Sequence, residues 1–129
     1  MLQDFIVSRL RSFKYAFEGW WCVLRTQRNA HIHAFATICV IILGWVLKLP
    51  GRDWAILVLT IGAVWTAECI NTAIEAAIDL ISPQKHPLAK TAKDAGAAAV
   101  LIAALCSIAV GFLVLGPPLW RQIILWLPN

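Results

Sequence analysis

The sequence predicts an all-α membrane protein of a single domain, in which an amphipathic helix precedes three membrane-spanning helices. Hydrophobic residues make up 60% of the 129 residues, and charged residues make up 14%, whereas a soluble domain has about 25% charged residues. The mean hydropathy of +0.76 indicates the same class. Short turn sequences divide the apolar residues into three long segments, and each segment is a candidate span.

Residues 4–28 are predicted to form an amphipathic helix on the membrane surface. Between Ile6 and Leu24, large apolar residues recur at alternating steps of four and three residues, which is the spacing of one helix face. Basic residues lie mostly on the other faces, and a basic helix with an aromatic apolar face is typical of a membrane interface. The alternative is an ordinary helix that packs on protein. No cleavable signal peptide is expected, because no small-residue cleavage site follows a short apolar run.

The predicted spans cover residues 30–49, 54–81 and 92–118. The first has an uncharged core, Ala34 to Leu47, which is short for a hydrocarbon thickness of about 30 Å, and the second is longer than a bilayer requires. Pro50-Gly51 marks the turn between them, and Ser82-Pro83 ends the second. The sequence Gly116-Pro117-Pro118 is predicted to end the third span, after which residues 119–126 form a short interfacial segment.

The four cysteines and the net charge of +4 do not predict a binding site. The cysteines are widely spaced and form no CxxC pattern, so we expect reduced thiols packed in helices rather than a zinc site or disulfides. In a chain this apolar, membrane topology and anionic lipid headgroups account for the positive charge better than nucleic acid does. No nucleic-acid partner is expected.

The distribution of Lys and Arg predicts the orientation in the membrane. With three spans, the N-terminal region and the loop at residues 82–94 lie on the same side. This side holds eight basic residues, which are Arg9, Arg11, Lys14, Arg25, Arg28, Lys85, Lys90 and Lys93. The other side holds three, which are Lys48, Arg52 and Arg121. By the positive-inside rule, we expect the N-terminus and the 82–94 loop in the cytoplasm.

A narrow polar stripe runs along the second half of the second predicted span. It consists of Glu68, Asn71, Glu75 and Asp79, whose spacing puts them within an arc of roughly 80° on a helix. An ionisable residue at the centre of a membrane helix costs about 2.5 to 3.5 kcal/mol on insertion scales. Interhelical hydrogen bonds in an oligomer are one explanation, but three carboxylates on one stripe repel each other, which favours a functional site.

The residues of this region suit a particular chemistry. Carboxylates near water can hold Mg²⁺, which binds oxygen ligands and bridges to nucleotide phosphates. A deeper carboxylate can take a proton from a hydroxyl group. Lys90 and Lys93 can meet phosphate, and Asp94 lies one turn after Lys90, where a salt bridge is expected. The sequence has no GxxxxGK motif and no kinase-type glycine loop, so phosphoryl transfer here would use a site unlike those of soluble kinases.

Three stretches of the chain resemble the signature of the small bacterial diacylglycerol kinase family, which includes the undecaprenol kinases. They are AECINTAIEAAID at residues 67–79, HPLAK at residues 86–90 and AKD at residues 92–94. The resemblance extends upstream to residues 12–19 and 27–33, and it covers almost the whole chain up to about Leu115. It implies a homotrimer of three-span subunits in the bacterial inner membrane, with active sites between subunits near the cytoplasmic face.

The resemblance also implies the reaction and the residue roles. The reaction is transfer of the γ-phosphoryl group of ATP to a lipid alcohol, either diacylglycerol or undecaprenol. Glu68 would be the general base, Glu75 a ligand of Mg²⁺, and Asp79 a supporting residue. The nucleotide and its phosphates would be organised by Asn71, Lys93 and Asp94, and Tyr15 matches a position that can contact the nucleotide.

One position departs from the family pattern. Many members carry an acidic residue where this chain has Gln27, and that residue helps to hold the metal. A glutamine carbonyl oxygen can coordinate a metal ion but brings no charge. We therefore expect weaker metal binding there or a different arrangement.

A second class of function uses the same stripe. The chain could be a non-catalytic membrane subunit, or an oligomer that conducts protons or cations. Conduction requires polar residues through the full depth of the membrane, whereas residues 54–64 offer only Thr60. A lipid kinase instead requires polarity at one face and an apolar entrance, which is the pattern present.

Overall fold

Four α-helices form the chain in the part that the computed structural model describes, which is residues 1–126 without the side chains of residues 2, 4 and 126. The helices are α1 (Leu2–Thr26), α2 (Arg28–Val46), α3 (Gly51–Ile81) and α4 (Pro87–Trp126). This part of the chain contains no strand, which confirms the all-α prediction. The structure also has three helices long and apolar enough to cross a membrane, as predicted, and these candidate spans are Arg28–Val46, Gly51–Ile81 and Pro87–Leu125.

Helix α1 ends at Thr26, before the predicted boundary at residue 28. Gln27 has an extended backbone (φ −98°, ψ 120°) and forms the N-cap of α2. Beside this junction, Trp20 of α1 contacts Trp65 of α3 edge to face, with 5.5 Å between the ring centroids. Phe13 and other large apolar side chains of α1 are exposed, so the position of this helix on a membrane surface stays a prediction.

The connection between α2 and α3 is a Schellman turn. The Leu49 N–H donates to the Gly44 carbonyl and the Lys48 N–H donates to the Trp45 carbonyl, both at 3.1 Å, which is the hydrogen-bond pattern of this motif. Lys48 has a φ of 52°, a left-handed conformation that glycine usually adopts at this position. The tight turn predicted around Pro50-Gly51 is present, but its left-handed residue lies just before that pair.

A small hydrophobic cluster fixes the three spans to one another at this end. Leu49 is buried with Leu57 of α3 and Leu115 of α4. Gly44 lets the Trp54 ring pack closely on α2, because a Cβ added at Gly44 would lie 2.9 Å from Trp54 Cη2. The polar stripe lies toward the opposite end of the α3–α4 hairpin.

Helix α4 begins at Pro87, earlier than the predicted start at residue 92. Proline is tolerated at the first helical position, because its missing N–H would have no intrahelical partner there. His86 stabilises this start, since the Lys90 N–H donates to its carbonyl at 3.1 Å and the Leu88 N–H donates to its Nδ1 at 3.2 Å. The loop between α3 and α4 is therefore only residues 82–86.

Helix α4 continues through Pro117 and Pro118 to Trp126. The predicted end of the helix at Gly116-Pro117-Pro118, with a separate segment at residues 119–126, is therefore wrong. Each proline removes its own N–H donor and crowds the preceding turn. Prolines are nevertheless tolerated within membrane helices, because neighbouring helices, hydroxyl side chains and local adjustments of the backbone can satisfy the freed carbonyl groups.

Candidate active site

The polar stripe of α3 passes from the interior of the helix bundle to the exposed end of the helix. Glu68 is 1% exposed and Asn71 is 7% exposed. Glu75 is half-buried and Asp79 is exposed. The stripe therefore connects a buried carboxylate to the 82–86 loop, as the helical spacing predicts.

Glu75 is held by two side-chain amides from different parts of the chain. Gln27 Nε2 donates to Glu75 Oε2 at 3.3 Å, and Asn71 Nδ2 donates to Glu75 Oε1 at 3.2 Å. Gln27 reaches α3 because the extended backbone at the α1–α2 junction directs its side chain there. The structure thus brings together Glu75 and Gln27, the two residues predicted to bind the metal.

Asn71 occupies the closest approach between α3 and α4. A Cβ added at Gly96 of α4 would collide with Asn71 Oδ1 and would lie 3.4 Å from Asn71 Cγ. The absence of a side chain at Gly96 is therefore what leaves room for the amide of Asn71. Asn71 Oδ1 is buried and has no hydrogen-bond partner within the described residues, so it remains free to accept a hydrogen bond or bind a cation.

Two ion pairs connect the outer end of the stripe to the first turns of α4. The Lys93 ammonium group pairs with Asp79 of α3, and the Lys90 ammonium group pairs with Asp94 along α4. All four residues line a hollow of about 630 Å³ beside the 82–86 loop. Because both pairs are accessible to water, their net stabilisation is small, and an anionic ligand can reach the lysines by replacing the carboxylates.

Tyr15, a predicted site residue, takes part in none of the hydrogen bonds and ion pairs described above. Its side chain is 64% exposed and lines a hollow on α1 with Ser8, Arg11 and Ser12. A contact between Tyr15 and the nucleotide stays a prediction.

A known family matches the chain over this whole arrangement. The family model described as prokaryotic diacylglycerol kinase covers residues 14–115, a range that contains every predicted site residue. The chain belongs to the prokaryotic diacylglycerol kinase family. Membership makes the chain a lipid kinase by type, rather than a non-catalytic membrane subunit, and it confirms the resemblance inferred from the sequence motifs.

Individual relatives carry two names within this diacylglycerol kinase family. The undecaprenol kinase of Bacillus subtilis is 44% identical over 109 residues, which covers 84% of this chain and 89% of that protein. The diacylglycerol kinase of Synechocystis sp. is 44% identical over 111 residues, covering 85% of this chain and 63% of that protein. The diacylglycerol kinase of Escherichia coli is 35% identical over 99 residues, covering 77% of this chain and 81% of that protein.

The Glu75 carboxylate fits a hard divalent cation such as Mg²⁺, whereas the amides of Gln27 and Asn71 direct their NH₂ groups at Glu75 and would have to turn to offer their oxygens. The carboxylate of Glu75 and the amide oxygens of Gln27 and Asn71 are the ligand type that this ion prefers, and Asn71 Oδ1 is unpaired among the described residues. No group of three or more His, Cys, Asp or Glu residues that could hold a metal occurs in the described part of this diacylglycerol kinase family member. Mg²⁺ would therefore need further ligands, and phosphate oxygens are its usual ones.

His33 is a residue of this region to which the sequence motifs assign no role. It lies on α2, six residues after Gln27, while Glu68 lies on α3, seven residues before Glu75. Since α2 and α3 are antiparallel and Gln27 meets Glu75, these similar separations bring His33 and Glu68 to the same level. The matching spacing of the two segments is the sequence signal that could have identified His33.

Proposed function

We propose that the protein transfers the γ-phosphoryl group of ATP, bound with Mg²⁺, to the hydroxyl group of a membrane lipid alcohol. The acceptor is diacylglycerol or undecaprenol, and the product is phosphatidic acid or undecaprenyl phosphate. The polar stripe carries this proposal, since it links the buried carboxylate of Glu68 to a water-accessible hollow lined by lysines. The buried end suits a hydroxyl group that arrives from the membrane, and the open end suits nucleotide phosphates.

Glu68 is placed to accept the proton of the acceptor hydroxyl. An ionised carboxylate is a pure hydrogen-bond acceptor, and a general base must lie within hydrogen-bond distance of the proton that it takes. An apolar groove of about 580 Å³ runs along α3 and α4 and reaches Asn71, one turn from Glu68. Small residues such as Ala67 and Ala99 line this groove, so a hydrocarbon chain can lie in it without displacing a charged group.

The outer end of the stripe is placed to organise the phosphates. When ATP binds, the ammonium group of Lys93 exchanges its carboxylate partner for phosphate oxygens, and Lys90 does the same beside Asp94. Asp79 keeps Lys93 directed at the hollow in the absence of nucleotide. Mg²⁺ would be held by Glu75 with Gln27 and Asn71, and it would supply positive charge next to the β- and γ-phosphate oxygens.

The proposed setting is the inner membrane of a bacterium, with the N-terminus and the 82–86 loop in the cytoplasm. The excess of Lys and Arg on that side supports this orientation, and ATP is available there. We also propose a homotrimer with sites between subunits. Large apolar side chains of the spans, such as Phe35, Leu59 and Phe112, are exposed in the single chain, and neighbouring subunits or lipid would cover them.

Conduction of ions or protons is not supported by the first half of α3. Between residues 54 and 64, the polar side chain is that of Thr60. Its hydroxyl group donates to the Ile56 carbonyl of the same helix at 2.8 Å. A polar path through the depth of the membrane does not follow from such a helix.

Parallel phosphorylation assays test the proposed function. The purified protein in lipid nanodiscs receives Mg²⁺, γ-labelled ATP and either diacylglycerol or undecaprenol, and protein-free nanodiscs serve as the control. We expect labelled phosphate in at least one of the two extracted lipids, and the ratio of the two kcat/KM values identifies the preferred acceptor. Absence of label in both lipids, at protein concentrations that bind ATP, would contradict the proposal.

A further inference from the structure

Two buried polar atoms face the interface between α2 and α3 without partners. His33 Nε2 and Glu68 Oε2 are both inaccessible to solvent and form no hydrogen bond within the described residues. Buried polar groups are normally paired, because an unpaired donor or acceptor loses its hydration and gains nothing in return. Two such atoms at one level of the fold therefore leave a place for a hydrogen-bonding group that is not part of the chain.

The helix register places His33 and Glu68 at the same level of the fold. The Gln27–Glu75 hydrogen bond at one end and the Trp65 Nε1 to Thr37 Oγ1 hydrogen bond at 3.3 Å at the other end belong to the same antiparallel register. This register sets His33 level with residue 69, directly beside Glu68. His33 Nε2 and Glu68 Oε2 form no hydrogen bond with each other.

The neighbours of His33 do not satisfy its free nitrogen. The residues that line a small cavity of about 60 Å³ beside it include three with a hydroxyl group. Each of these hydroxyl groups forms a hydrogen bond with a residue other than His33. Thr37 accepts from Trp65, Thr60 donates to the Ile56 carbonyl, and Ser107 donates to the Ala104 carbonyl at 2.8 Å. His33 Nε2 is thus the polar atom of this wall that remains available for a ligand.

On the basis of the lipid kinase function proposed above, we propose that His33 binds the acceptor hydroxyl together with Glu68. A hydroxyl group has one proton to donate and two lone pairs to accept with. It can donate to Glu68 Oε2 and accept from the Nε2–H of a neutral His33. One alcohol group can therefore form hydrogen bonds with both buried atoms.

The proposed contact leaves the phosphoryl transfer balanced. The hydroxyl oxygen forms the new bond to the γ-phosphorus, the bond from that phosphorus to the ADP oxygen breaks, and the hydroxyl proton passes to Glu68. His33 keeps its own proton throughout and fixes the position of the attacking oxygen. Its effect should therefore concern the lipid substrate and not MgATP.

Three substitutions at His33 test the contact. The His33→Leu variant removes the donor, and we expect kcat/KM for the lipid to fall about tenfold, the scale of one hydrogen bond, with the KM for MgATP unchanged. His33→Gln should restore most of the loss, because the glutamine amide nitrogen reaches about as far as imidazole Nε2. His33→Asn should not restore it, because its amide is one methylene shorter. His31→Leu is the matched control, since His31 is an exposed histidine of the same helix.

The outcomes separate this contact from a packing role and from failure of the kinase function. Equal lipid kinetics for His33→Leu and wild type would overturn the proposal, as would a loss that raises the KM for MgATP equally. If His33→Leu does not fold, the difference between the Gln and Asn variants decides, and equal activity of those two variants would also overturn it. If the wild-type protein phosphorylates neither lipid, the kinase function itself fails, and the role of His33 fails with it.

Discussion

Gln27 donates a hydrogen bond to the Glu75 carboxylate at 3.3 Å, across the junction of α1 and α2 to the middle of α3. An acidic residue at position 27, as in many relatives by resemblance, would repel Glu75 unless a cation lay between the two carboxylates. The amide of Gln27 instead attracts Glu75 directly. This hydrogen bond connects the α1–α2 junction to α3.

Restoring the negative charge at this position should change the requirement for Mg²⁺. In the Gln27→Glu variant, two carboxylates at one site bind the cation more strongly, so half-maximal activity should occur at a lower free Mg²⁺ concentration. The measurement is the initial rate as a function of free Mg²⁺ at saturating ATP. Gln122→Glu, the same change at an exposed position of α4, should leave the curve where it is. An unchanged curve for Gln27→Glu would place this side chain away from the metal.

Removing the proposed base should abolish most of the turnover without unfolding the protein. Glu68→Gln keeps the size and the hydrogen bonding of this buried side chain but cannot take the proton, so kcat should fall by about 10² or more. Glu18→Gln is the control, because Glu18 is an exposed residue of α1 that forms an ion pair with Lys14 at 3.7 Å. A purified Glu68→Gln variant with near-normal kcat would remove Glu68 from the mechanism.

The close approach of α4 to Asn71 should make Gly96 sensitive to a single methyl group. The added Cβ of Gly96→Ala would collide with Asn71 Oδ1, which should destabilise the fold by about 1 to 3 kcal/mol and move the Asn71 amide away from Glu75. Thermal unfolding and kcat report these two effects. Gly111→Ala on the same helix meets nothing within 4 Å and should leave both unchanged or raise stability. Equal behaviour of the two variants would contradict the packing described here.

The left-handed residue before α3 offers a stabilising change that does not involve the site. Lys48→Gly should raise the free energy of unfolding by about 1 kcal/mol, because glycine adopts φ values near 52° without the clash that a Cβ causes. Lys48→Ala removes the same charge but keeps the Cβ, so it should not stabilise the protein. Denaturation of the two variants in the same detergent gives the comparison. If alanine stabilised as much as glycine, charge rather than backbone strain would be the cause.

Cysteine labelling should show the orientation in the membrane. In a background without the four native cysteines, Gln84→Cys in the 82–86 loop should react with an impermeant thiol reagent only after the membrane is opened. Gly51→Cys, at the opposite end of α3, should react in intact cells. Both positions are exposed in the structure, so accessibility is determined by the membrane. The reverse pattern would place the lysine-lined hollow away from ATP and exclude the proposed kinase reaction.

The spacing of polar residues along α3 was sufficient to predict the stripe, because the period of the helix alone decides which side chains share a face. The same local rules did not give the ends of α4. The predicted span starts at residue 92 and ends at Pro117-Pro118, whereas α4 starts at Pro87 and continues past Pro118, because proline is tolerated at a first turn and within an apolar membrane helix. The position of a proline relative to its helix and to the membrane decides its effect, and a local pattern does not contain that information.

The contacts between helices lay largely outside what the sequence could show. Asn71 was predicted to organise the nucleotide, but its hydrogen bond to Glu75 and its dependence on Gly96 arise from how α3 and α4 pack. The alignment of His33 with Glu68 requires the register of α2 against α3. For Gln27, the sequence motif predicted a position in the metal site, but only the structure shows that its side chain hydrogen-bonds to Glu75.

The length of α2 sets the depth at which the reaction takes place. Its 19 residues span about 28 Å at 1.5 Å per residue, which is close to the hydrocarbon thickness of about 30 Å. An upright α2 therefore begins at the boundary between hydrocarbon and headgroups, and the Gln27–Glu75 hydrogen bond fixes Glu75 at that height. With α2 upright, Glu68 would lie about two turns below this plane, and Asp79 and Lys93 would lie above it. The lipid alcohol can thus stay in the membrane and ATP in the water, while only the phosphoryl group passes from one phase to the other.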